Sequence, residues 1–98
     1  MAYGYIIVEM KINNLDQYKK YMAEAPAAVA AAGGEYLIRG GRHEVLEGDW
    51  NPARVAMLRF PSFEQAKAFY DGEMYTAVRK HRAGTTEYFN MILVEGVA

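Results

Sequence analysis

The chain repeats itself once, and that repeat limits what it can fold into. Asn14-Leu15-Asp16-Gln17-Tyr18-Lys19 and Ser62-Phe63-Glu64-Gln65-Ala66-Lys67 match position by position at an offset of 48 residues: cap, apolar, acid, glutamine, small or aromatic, lysine. Each segment starts with a side chain that accepts from the first free N–H groups of a helix. A glutamine three residues on completes a capping box. The residues before each cap also align, with Met10 over Leu58 and Ile12 over Phe60. A strand leading into a helix therefore occurs twice.

The rest of the chain fills in around those two units. Tyr3 to Ile12 reads as the first strand, with Ile6, Val8, Met10 and Ile12 on one face and Tyr5, Ile7, Glu9 and Lys11 on the other. Leu15, Tyr18, Met22, Ala25, Val29 and Ala32 then form one helical stripe. Pro26 falls inside that stripe and predicts a kink or split, and Gly33-Gly34 supply the stop. Gly34 to Gly48 reads as an extended arm with a bulge or sharp bend at Gly40-Gly41. A turn at Gly48-Asp49-Trp50-Asn51-Pro52 leads to a third strand, Ala53 to Phe60. The second helix runs to about Tyr70, a short further helix carries Met74, Ala77, Val78 and His81, and Thr86 to Glu95 is the last strand.

This order is βαββαβ, an α+β, ferredoxin-like arrangement of one domain over residues 1–98. Right-handed crossovers give a four-stranded antiparallel sheet with both helices on one face. The other face then carries Tyr5, Ile7, Val55 and Met57, which is too apolar for water. Covering it with the same face of a second copy predicts a homodimer.

Composition excludes several function classes. Eleven Lys and Arg stand against twelve Asp and Glu with no basic stripe, so nucleic acid is not an expected partner. No apolar run approaches the ~20 residues of a membrane span, and the start lacks the pattern of a signal peptide. A cytoplasmic protein with no membrane partner is expected. With no Cys there is no disulfide, thiol nucleophile or thiolate metal site. Eight of the thirteen aromatic residues are Tyr, a residue suited to buried surfaces that still need a hydrogen bond.

Candidate chemistry emerges by elimination. The one Ser, Ser62, is taken by a helix cap. His43 and His81 have no metal-binding spacing, so no metal is expected, and the glycine pairs do not make a phosphate loop. What remains is Arg39 after the run Tyr36-Leu37-Ile38, Glu47 and Trp50 on one turn, and Tyr75, Arg79 and Arg82 on one face of the short helix. Each has two readings, a structural ion pair (Glu47 neutralising Arg39, for example) or the wall of a ligand pocket.

Taken together, Gly33-Gly34-Glu35-Tyr36-Leu37-Ile38-Arg39-Gly40-Gly41 and Glu47-Gly48-Asp49-Trp50-Asn51-Pro52, with Tyr18, Arg54 and Phe60-Pro61-Ser62, resemble the domain of unknown function 1330 family. Ala66, Tyr70, Tyr75, Arg82 and Glu95-Gly96 continue the resemblance over nearly the whole chain. It implies a dimeric α+β barrel, a superfamily that includes small cofactor-free monooxygenases and muconolactone isomerases. Arg39, Glu47, Trp50, Tyr75 and Arg82 match positions of the family pattern, whereas His43 and Arg79 do not.

The functional expectation is a small enzyme without cofactor, acting on a carboxylate-bearing metabolite. Glu47 or His43 would transfer the proton, Arg39 and Arg82 would hold the anion, and Trp50 and Tyr75 would line the wall. The alternatives are a binding or stress-associated module using the same pocket without chemistry, or a dimer whose polar groups only staple its interface.

Overall fold

Strand β1 (Gly4–Ile12) lies inside the sheet because it offers apolar side chains to both faces. It pairs antiparallel with β3 (Arg54–Phe60) on one side and β4 (Thr86–Glu95) on the other, and β2 (Glu35–Arg39) adds to the outside of β3. The order β2-β3-β1-β4 is the ferredoxin-like arrangement. This computed structural model describes residues 2–98, so Met1 of the single expected domain lies outside the described residues.

Helices α1 (Leu15–Ala31), α2 (Phe63–Asp71) and α3 (Glu73–Arg79) cover one face, and a 3₁₀ turn at Lys80–Arg82 follows α3. Ile6, Val8, Met10, Ala56, Leu58 and Phe60 from the sheet meet Tyr18, Val29, Ala66, Phe69, Tyr75 and Val78 from the helices in one core. Both expected caps form: the Asn14 side chain accepts from Gln17 N at 3.2 Å and Ser62 Oγ from Gln65 N at 3.1 Å. At the other end of α1, Gly34 N donates to Val29 O and Gly33 N to Ala30 O, with Gly33 at φ 78°. That is a Schellman ending, and it explains the glycine pair.

Four details differ from the sequence expectation. Leu15 lies on the surface at 52% exposure. Pro26 does not split α1, which runs unbroken over 17 residues. The irregularity in β2 lies at Leu37, not at Gly40-Gly41: the register shifts between Tyr36 and Ile38. The extra residue turns Ile38 outward opposite Met57 and Arg39 inward opposite Ala56. Gly40 ends the strand at φ 72°, and residues 41–53 form a loop rather than a longer arm.

Candidate functional site

Between the helices and the inner sheet face lies a chamber of about 40 Å³. Its polar lining comes from Tyr18 and Tyr21 on α1, Tyr36 and Arg39 on β2, Arg54 on β3 and Tyr75 on α3. Among the described lining residues Arg39 alone is exposed, which places it at the mouth. Its guanidinium lies over the Tyr36 ring, 4.8 Å from the centroid, and Nη2 donates to the Met22 carbonyl at 2.7 Å. Arg54 packs its guanidinium onto Gly40, leaving no room there for a Cβ.

The hydroxyls of Tyr21 and Tyr75 are 2.6 Å apart, and Tyr18 donates to Met10 Sδ at 3.0 Å. Burial pushes the Tyr21 hydroxyl far above its ordinary value, helped by the neighbouring Tyr75. Burial raises Tyr18 and Tyr36 as well. These hydroxyls therefore stay protonated at neutral pH and act as hydrogen-bond donors, not bases.

Arg82 stands one layer behind the wall. Its guanidinium lies 3.7 Å from the centre of the Phe89 ring and 5.8 Å from that of Tyr21, and both rings line the chamber. Its backbone is fixed, because Arg82 O accepts from both the N–H and the hydroxyl of buried Thr85. Arg79 takes a similar place over Tyr70 at 4.4 Å. Nη1 of Arg79 and Nε of Arg82 are buried without a partner among the described residues.

The six residues expected to form one site do not converge within one chain. Arg39 and Tyr75 share the chamber, with Arg82 behind it, but Glu47, His43 and Trp50 belong to the 41–53 loop on the opposite side of the sheet. Trp50 Nε1 donates to Glu9 Oε2 at 2.7 Å, and Asn90 Nδ2 donates to Glu9 Oε1 at 3.1 Å. Glu9 is an outward residue of β1, so it draws the indole to the outer face. His43 Nε2 lies 2.9 Å from the Pro52 carbonyl and closes the loop on itself. Exposed Glu47 borders a shallow depression with Trp50 and Val55. Arg39 is met by a backbone carbonyl where the ion-pair reading expected Glu47.

Elimination missed Tyr21 and Arg54. Tyr21 follows Tyr18 by one helical turn, a spacing that would have placed it beside the stripe. Arg54 alternates with Ala56 and Leu58 on the inner face of β3 and is legible as an arginine among core positions. Among the described residues no helix is long and apolar enough to cross a membrane, and no cluster of His, Asp and Glu could hold a metal ion.

Solved structures show the same fold. A protein of unknown function from Rhodopseudomonas palustris superposes with a TM-score of 0.78 at 16% identity, over 99% of this chain and 84% of its own. A dimeric ferredoxin-like protein of unknown function from Jannaschia sp. gives 0.68 at 13% identity, over 98% of this chain and 99% of its own. A dabb-family protein with a ferredoxin-like fold from Mesorhizobium loti gives 0.66 at 14% identity with both chains fully covered. No curated protein matches the chain. The family described as Domain of unknown function (DUF1330) matches residues 3–97, and this chain belongs to it.

Proposed function

We propose that the protein is a homodimer whose chambers bind small organic acids. One observation carries the ligand class: two guanidinium groups, Arg39 and Arg54, line a chamber with no carboxylate in its described lining. Arginine pairs with a carboxylate through two parallel hydrogen bonds, and the tyrosine and phenylalanine rings supply an apolar wall. The volume of about 40 Å³ is room for a few waters. Drug-sized ligands occupy roughly 300–1,000 Å³, so an acid of a few heavy atoms is the better match.

The dimer reading rests on the outer sheet face. Ile38, Met57, Ile7 and Ile92 are successive cross-strand partners there and form an apolar row across all four strands. Ile92 alone is 58% exposed in the single chain. The protein from Jannaschia sp., which shares the fold and is dimeric, supports pairing of two copies.

A second reading, catalysis on the bound acid, is favoured by a hydrogen count. Tyr21 and Tyr75 own two hydroxyl hydrogens and use one between them, which leaves one to donate to a ligand oxygen. A donor beside an arginine-held carboxylate stabilises charge that develops on an adjacent carbonyl, as in an enolate. Among its described lining residues this site has electrophiles but no base. Proton transfer by Glu47 or His43 requires the 41–53 loop of the second copy to reach the chamber.

Titration with formate, acetate and propionate tests the anion site, read as melting temperature and as amide chemical shifts. Binding to the native state raises the melting temperature of the parent protein. The gain is expected to fall in Arg39→Lys and Arg54→Lys, and less in Arg82→Lys, which lies behind the wall. A parent protein unmoved by all three acids would remove the anion-site reading.

A further inference from the structure

We propose that Pro26 positions the anion site: having no N–H, it frees the Met22 carbonyl, and that carbonyl holds the Arg39 guanidinium at the chamber mouth. The inference deepens the small-acid reading and rests on it for its functional meaning. Its structural half stands alone.

In an α-helix the N–H of each residue bonds to the carbonyl four residues earlier, so position 26 serves Met22. Proline has no hydrogen to give, and its ring crowds that same carbonyl. A proline in the middle of a 17-residue helix can break it, yet α1 is continuous through Pro26. The orphaned acceptor is met from another element, since Arg39 Nη2 donates to Met22 O at 2.7 Å. The rest of the Arg39 environment agrees. The bulge at Leu37 turns Arg39 to the inner face, and the Tyr36 ring lies under the guanidinium at 4.8 Å. Met22 and Arg39 both line the chamber. A guanidinium carries five N–H donors, so the bond to Met22, together with the Tyr36 ring beneath it, sets its plane and leaves donors for a carboxylate. A side chain already ordered in the free protein loses less freedom when ligand binds.

Pro26→Ala returns an N–H to the helix and closes the Met22 carbonyl into the i−4 ladder. Alanine is the best helix former, so this variant is expected to fold. Two readouts separate the claims. The first is nitrogen-15 NMR of the Arg39 guanidinium in the free protein. Its N–H resonances are expected to show restricted rotation in the parent and averaging in Pro26→Ala. The second is the propionate dissociation constant, expected to rise about three- to tenfold in Pro26→Ala, the scale of ordering one long side chain.

Identical guanidinium resonances in parent and variant would overturn the proposal. So would an unchanged propionate affinity in a variant whose arginine has been released. If propionate does not bind the parent, the small-acid reading fails, while the arginine resonances still decide whether Pro26 positions Arg39.

Discussion

The hydroxyls of Tyr21 and Tyr75 meet at 2.6 Å and tie α1 to α3 across the wall of the chamber. Tyr75 is 2% exposed, its ring lies 4.5 Å from that of Phe69, and Tyr21 stands edge-on to Phe89. One line of rings therefore runs from α2 through α3 and α1 to β4. A hydrogen bond in that setting has little competition from water. Its loss leaves a buried hydroxyl with no replacement partner.

Tyr21→Phe and Tyr75→Phe are each expected to cost about 1–3 kcal/mol, because each strands the other hydroxyl. The double variant is expected to cost less than the sum of the two, since it strands nothing. Urea unfolding of the four proteins gives the coupling directly. Strict additivity would mean that the two hydroxyls do not interact in solution.

Alkaline stability follows from the same burial. Tyr21 starts from an ordinary value of 10.0 and is pushed well above it in the folded chain. The unfolded chain therefore loses this proton first as pH rises, and the folded state binds more protons. The contribution is complete below about pH 10 and is lost above it, at up to about 1.4 kcal/mol per pH unit for one such group. Unfolding free energies at pH 8 through 11 should fall along this curve, and Tyr21→Phe should flatten it. An equally steep fall in the variant would place the titrating group elsewhere.

What was legible in the sequence is what local contacts decide. The two caps are bonds between residues three apart, Asn14 with Gln17 and Ser62 with Gln65, and they were readable from residue type and spacing. Strand faces followed from alternation, as Ile6, Val8 and Met10 show. The split expected as one outcome at Pro26 is absent, and the donor that meets the freed carbonyl lies 13 residues away, in Arg39, where local propensity has no view. The bulge was misplaced because Gly40-Gly41 is a louder local signal than Leu37, which has no special backbone requirement. That one residue decides which face Arg39 takes. Glu47 and Trp50 lie near Arg39 along the chain, but a sheet has two sides and sequence distance does not say which one a loop covers.

Trp50 offers a direct reading of the outer face. As the one indole in the chain, 60% exposed and held to Glu9, it stands beside the apolar row that a second copy would cover. Light scattering should report twice the 11.0 kDa chain mass at micromolar concentration. On dilution through dissociation, tryptophan emission should shift to the red as the indole meets water. Ile7→Asp would bury an unpaired charge in that contact and is expected to give monomer or aggregate. A parent protein that stays monomeric at high concentration would remove the homodimer.

Gly40 connects backbone conformation to the ligand site in a way that can be isolated. Its φ of 72° is left-handed, and a Cβ there would run into the Arg54 guanidinium. Gly48 has a similar φ of 83° with nothing near the place a Cβ would occupy. Alanine at either position therefore pays the left-handed penalty, about 1–2 kcal/mol. Only Gly40→Ala also has to move Arg54, and a guanidinium at the end of a flexible chain moves without much further loss of stability. The two variants should lose comparable stability in urea while differing in ligand affinity. Gly48→Ala should bind propionate as the parent does. Gly40→Ala should bind it about tenfold more weakly, the order expected when one charge-assisted contact is misplaced. Equal propionate affinity in the two variants would mean that Arg54 does not hold the acid, whatever their stabilities show.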